Sequence, residues 1–222
     1  AALFNPLPRP RQHRIGVDAQ GQVQAVVLPP LGGGTLATLP RAAPLAPVRA
    51  QVGVQVGVQG PSGAEPTLAN GRLHARFDAR GRIAALRIDG VDLALRGPLG
   101  ELVAYPDQPH LFEAWDIDRQ TLSLGTVIDT PAEVMPAQAG DDADGGSATL
   151  SFRRSLGALG TATLHYTLEA GAAWLRLAID LDWRQPEQLL KLSLPTAYAG
   201  RHARYAAPFG SVLRSQVPGN PA

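Results

Sequence analysis

Apolar and polar residues alternate with a period of two along much of this chain, and that pattern decides its fold class. From Val48 to Val58 every even position except Ala50 is Val, while Arg49, Gln51, Gly53, Gln55 and Gly57 fill the odd ones, as a half-buried strand requires. Leu73, Ala75 and Phe77 alternate with His74 and Arg76, between Asn70-Gly71 and Ala79-Arg80-Gly81; Arg82 to Ile88 followed by Asp89-Gly90 repeats the device, which predicts a meander of hairpins. Thr161 to Leu168 alternates too. Leu175, Leu177, Ile179, Leu181 and Trp183 share one face opposite Arg176, Ala178, Asp180 and Asp182, and Leu190, Leu192 and Leu194 close the series. No ten-residue segment carries a 3.6-residue period, and the 24 Gly and 20 Pro among 222 residues disfavour helix interiors. The expected class is all-β, with sheets stacked on sheets.

Composition narrows function by exclusion. Twenty Lys and Arg stand against nineteen Asp and Glu, so no long-range field is available to hold a nucleic acid or an anionic membrane, and no apolar run approaches a membrane span. A soluble protein without nucleic-acid or membrane partners is expected. The absence of cysteine removes disulfides, thiolate zinc sites and cysteine nucleophiles together. No charged-then-apolar leader follows Ala1, so either there is no signal peptide or the sequence starts inside a longer protein. Pro- and Gly-rich stretches at 28–47 and 60–66 place a boundary near residue 62, giving a small β-domain over 1–62 and a larger unit over 63–222.

Candidate chemistry is sparse. The five histidines (13, 74, 110, 165 and 202) lie too far apart to suggest a metal pair, and the Asp-rich, Gly-rich stretch 140–147 lacks the spacing of a calcium loop and reads as a solvated hairpin tip. Gly32-Gly33-Gly34 has no Lys-Ser/Thr after it and reads as a turn rather than a phosphate cradle. No serine occupies a Gly-x-Ser-x-Gly frame. The densest stretch is DQPHLFEAWDID, 107–118. Its acids Glu113, Asp116 and Asp118 beside Trp115 are the types a sugar site uses, since carboxylates bind hydroxyls or exchange protons and an indole stacks on a pyranose. By spacing alone, the stronger reading is that Trp115 is core and the acids decorate a loop.

These residues resemble the glycoside hydrolase family 38 α-mannosidases, in the region after their catalytic domain. LFNPLPRPR (Leu3 to Arg11) is similar to the stretch that opens the family's β-rich C-terminal region, and LPPLGGGTL (Leu28 to Leu36) to the close of its first small β-domain. LANGRLHARFDARGRIAALR (Leu68 to Arg87) resembles its Asn-Gly-led meander, EAWDID (Glu113 to Asp118) its most specific motif, and YAAPFGSVLRSQVPGN (Tyr205 to Asn220) its Pro-Phe-Gly hairpin. Departures occur at Ala69, at Ala206-Ala207 and at Ser215-Gln216, where the family favours an acid, Glu-Ile and Pro-Thr.

The resemblance implies a small β-sandwich followed by a mutarotase-like two-sheet supersandwich, incomplete at its C-terminal end. It also implies a parent that is a retaining exo-α-mannosidase acting on mannose-containing glycans. Its catalytic carboxylates and zinc ligands would lie in an N-terminal catalytic barrel of the same polypeptide. No catalytic residue, metal ligand or cofactor is therefore assigned within this sequence, and the expected rim of the sugar site is Trp115, Asp116 and Asp118. Two other readings stay open. An autonomous carbohydrate-binding module would need exposed aromatics among Trp115, Trp174 and Trp183, yet the last two flank an alternating strand, where burial is the default. A mutarotase-like enzyme would need a His and a Glu facing one cleft, and the wide spacing of the histidines argues against it.

Overall fold

A computed structural model describes residues 2–19, 22–43, 49–51, 65–110, 117–139 and 146–216. All regular structure there is β apart from two 3-10 turns, Arg119–Ser123 and Gly157–Leu159, and no helix is long and apolar enough to cross a membrane. The all-β expectation holds.

The first strands, β1 (Ala2–Phe4), β2 (Arg11–Val17), β3 (Val23–Leu28) and β4 (Gly33–Thr35), make two antiparallel pairs, β1 with β4 and β2 with β3. They enclose a small core of Val26, Leu28 and Leu39 with Leu3 and Ile15 against it. Asn5 is fully buried and acts as a staple. Its Nδ2 donates to the carbonyls of Arg9 (2.7 Å) and Pro29 (3.1 Å), and its Oδ1 accepts from the N–H of Leu7 (3.1 Å). The glycine run is a correction to the sequence reading: the turn is at Leu31 (φ 47°), while Gly33 and Gly34 form β4 beside β1. A Cβ on Gly33 would collide with the Leu3 carbonyl, so the glycine permits this close strand approach.

Next come β5 (Arg49–Gln51), β6 (Thr67–Ala69), β7 (Leu73–Phe77), β8 (Ile83–Ile88) and β9 (Val91–Asp92), an antiparallel five-stranded meander in sequence order. The predicted strands at 72–78 and 82–88 are β7 and β8, and Asp89 (φ 49°) and Gly90 (φ 83°) join β8 to β9 with the two positive φ angles that a tight two-residue turn needs. Of the long Val-rich strand, only 49–51 is described; Val52 to Val58 lie outside the described residues, as does most of the Asp-rich stretch 140–147.

The chain continues through β10 (Glu101–Pro106), β11 (Thr126–Val127), β12 (Ala132–Val134), β13 (Gln138–Ala139), β14 (Ser147–Ser155), β15 (Gly160–Glu169), β16 (Arg176–Trp183) and β17 (Gln188–Ser193). β14, β15 and β16 form long antiparallel ladders, with β12 and β13 both pairing β14; β10 lies between β11 and β17. A last hairpin, β18 (His202–Ala207) and β19 (Gly210–Ser215), pairs only with itself among the described residues.

The main core lies where the apolar face of β6–β8 meets that of β14 and β15. Leu68, Leu73, Ala75 and Phe77 pack against Leu150, Phe152, Leu164, Tyr166 and Leu168. Phe77 sits 5.1 Å from Phe152 and 4.8 Å from Tyr166, ring centroid to centroid, in tilted geometry. Gly81 (φ 71°) passes so close that a Cβ would meet the Phe152 ring. β16 bears out its alternation, and Leu177 and Trp183 pack against the core, while Ile179 and Leu181 on the same face are 37% and 48% exposed because no described layer fully covers them.

Candidate functional site

A polar concavity opens between the β2–β3 hairpin and the turn that joins β15 to β16. It holds about 420 Å³, with Arg11, His13 and Arg14 on the hairpin wall and Glu169 and Trp174 on the turn wall. Trp174 is 50% exposed, which corrects the expectation that it is buried: it stands in the bend ahead of β16, outside the pleat that carries Leu177 and Trp183 inward. The Arg176 guanidinium lies 5.7 Å from its ring centroid and also donates to Glu169 Oε1 at 3.3 Å, so one cation orients both the indole and the carboxylate.

Side chains of the meander fix the turn. Asn70 Oδ1 accepts from the N–H groups of Arg72 (2.8 Å) and Leu73 (2.7 Å), closing the β6–β7 hairpin as the Asn-Gly signal predicts. Its Nδ2 then crosses to the other sheet and donates to the carbonyls of Glu169 (2.7 Å) and Ala172 (2.9 Å). Arg72 adds a long contact to the Gly171 carbonyl at 3.4 Å while pairing with Asp89. On the opposite wall Arg14 donates to the Gly146 carbonyl, holding the hairpin to the sandwich. The cleft thus has a braced floor and a half-exposed aromatic. Hydroxylated ligands use such a surface. The spacing of the histidines gave no hint of it, because His13 and Glu169 meet only through the packing of hairpin on sandwich.

Of the residues expected at a sugar rim, Trp115 and Asp116 lie outside the described residues, as does Glu113. Asp118 is described. It is half-buried at the start of the 3-10 turn, where its carbonyl accepts from the Thr121 N–H at 2.9 Å and its carboxylate makes no capping bond. It is not among the residues lining the cleft.

Two further polar groupings have structural explanations. His165 Nδ1 is 2.8 Å from Ser151 Oγ and its Nε2 is 3.0 Å from Asp180 Oδ2, a chain that superficially resembles a nucleophilic triad. Ser151 is 2% exposed, however, and cannot meet a substrate; the chain clamps β14, β15 and β16 side by side. At the other end of the core Arg82 donates to Asp78 (2.8 Å) and Glu101 (2.6 Å), and Arg80 to Asp129 (2.8 Å). The buried Arg154 donates to the carbonyls of Ile128 and Thr130, and its pKa is pushed down by burial and by the neighbouring Arg82. Period-two counting from Leu150 and Phe152 puts position 154 on the inner face, the sequence signal that could have flagged this arginine. Burial likewise raises the Tyr166 phenol above its ordinary range. Among the described residues no group of three or more His, Asp or Glu is arranged to hold a metal ion.

Comparison with known proteins aligns residues 68–221 with the family model described as glycosyl hydrolases family 38 C-terminal domain. Human alpha-mannosidase 2C1 is 25% identical over 219 residues, which cover 96% of this chain and 20% of that protein. Mouse alpha-mannosidase 2C1 is 25% identical over 155 residues, 67% of this chain and 14% of that protein. The chain therefore spans about a fifth or less of the length of these relatives.

Proposed function

This chain belongs to the glycosyl hydrolase family 38 C-terminal domains, and from that premise we propose that it is the non-catalytic β-region of a retaining exo-α-mannosidase. The observation that carries the proposal is the family match over 68–221, which includes β7 to β9 of the meander, the core strands and the last hairpin. In this reading the parent removes terminal α-mannosides from glycans. One carboxylate of a catalytic barrel in the same polypeptide attacks the anomeric carbon, and a second protonates the leaving oxygen and then activates water. Zinc, held by that barrel, grips sugar hydroxyls.

The β-region's part is scaffolding. Its surface supports this: Phe209 at the tip of the β18–β19 hairpin is fully exposed, Tyr205 and Leu213 are more than half exposed, and Ile179 and Leu181 on β16 are partly exposed. A two-stranded hairpin is marginal on its own, and exposed apolar side chains on it suit burial against another domain. We assign residues 1–62 to a small β-domain and 63–222 to a mutarotase-like supersandwich, and place Trp115, Asp116 and Asp118 at the barrel interface near the sugar.

The test is the full reading frame. Expressed intact, it should release mannose from aryl α-mannosides in a zinc-dependent manner, and Trp115→Ala should impair that turnover more than it lowers the stability of the 222-residue chain. A folded, intact product without mannosidase activity overturns the proposal. If Trp115→Ala unfolds the chain yet leaves the kinetic constants of the intact enzyme unchanged, Trp115 is core and the rim assignment falls.

A further inference from the structure

We propose that the cleft between the β2–β3 hairpin and the 169–174 turn is a saccharide-binding site that takes a hexose unit of a mannose-containing glycan. The choice of mannose rests on the proposed function; the site itself rests on geometry. The cleft's volume of about 420 Å³ falls in the range of small-molecule sites. Trp174, half exposed at its wall, offers the flat apolar surface on which the C–H face of a pyranose packs. Glu169 provides acceptors for sugar hydroxyls, and Arg11 and His13 on the facing wall provide donors.

Pre-organisation separates this cleft from an incidental groove. The Asn70 side chain holds the carbonyls of Glu169 and Ala172, and Arg176 holds the Glu169 carboxylate and the indole, so the ligand need not order the turn on binding. Arg14 donates to the Gly146 carbonyl and Arg176 pairs with Glu169, so the charges in and beside the cleft are partly compensated, and it is the apolar face of Trp174 that suits a pyranose rather than a compact anion. Such a site would add a second contact to the glycan and raise the residence time of the substrate by avidity.

The experiment is calorimetric titration of the 222-residue chain with a linear manno-oligosaccharide, with inorganic phosphate as a second probe. Saturable binding near 1 mM, on the order expected for a small open sugar site, is the predicted result. Trp174→Ala and Glu169→Gln should each weaken it by about tenfold or more, while His74→Ala, outside the cleft, leaves it unchanged. Thermal melts of each variant show whether the chain stays folded; Glu169→Gln, which keeps the side chain's size, covers the case in which Trp174→Ala does not. No saturable binding, binding that survives both substitutions in folded protein, or tighter binding of phosphate than of the oligosaccharide overturns the inference. Because hydrolysis is not the readout, its failure leaves the mannosidase reading intact, and sugar binding by a chain whose parent lacks mannosidase activity would separate the two in the other direction.

Discussion

β7 and β16 carry the same written pattern and meet opposite fates. In β7, Leu73, Ala75 and Phe77 are essentially without solvent exposure, because β14 and β15 close over them. In β16, Leu177 is half-buried while Ile179 and Leu181 are partly exposed. Alternation fixes which side chains share a face; it carries no information about whether another layer covers that face. One part of this molecule is thus a closed aromatic core, and another carries apolar surfaces that the described residues leave exposed.

Mutations should separate the two parts by size of effect. Phe152→Ala removes the ring that Phe77, Tyr166 and Gly81 all pack against and should cost about 3–5 kcal/mol, whereas Leu181→Ala should stay within about 1 kcal/mol in this chain. Urea unfolding of both variants checks the contrast; equal losses would mean that β16 is covered after all. Gly81→Ala should cost about 2 kcal/mol, since it places a Cβ at φ 71° against the Phe152 ring. A neutral result in the same assay would show that the turn can retreat from the core.

Asn70→Ala sharpens the link between the core and the cleft. It deprives the Glu169 and Ala172 carbonyls of their donor and should cost about 1–3 kcal/mol, with faster amide exchange across 169–174 than elsewhere. Unchanged exchange there would mean the turn is held by its own backbone. The smallest effect concerns acid. Hydrogen bonds from Arg72, Arg80 and Arg184 hold the carboxyls of Asp89, Asp129 and Asp182 below the usual carboxylate range. A group whose folded pKa is depressed contributes stability above its unfolded pKa of about 4 and loses it as pH falls through the lower folded value. A shallow, salt-sensitive loss of stability below about pH 4 is expected, and Asp89→Asn should flatten it.

The sequence was most legible where local chemistry acts alone. Asn70-Gly71, Asp89-Gly90 and the flanking alternation specify β7 and β8 within a residue or two, since turn geometry and pleat are set by neighbours along the chain. β14 escaped notice because Arg153-Arg154 interrupts its apolar run, although Arg154 proves to be buried with its head on two carbonyls. The cleft was illegible for a related reason. Arg11, His13, Glu169 and Trp174 are brought together by the docking of a hairpin on a sandwich, which no spacing encodes. Trp174 was expected inside because it flanks an alternating strand, but the pleat that buries Leu177 begins only after the bend.

In the proposed function this chain would supply shape and binding surface to glycan hydrolysis and none of the bond-breaking groups. The most direct test of that claim is incubation of the purified 222-residue chain with an aryl α-mannoside, with and without added zinc. The predicted result is no release of the aryl group above the buffer control in either condition. Turnover that persists through repurification, and is lost on Asp116→Asn or Asp118→Asn, would contradict the claim.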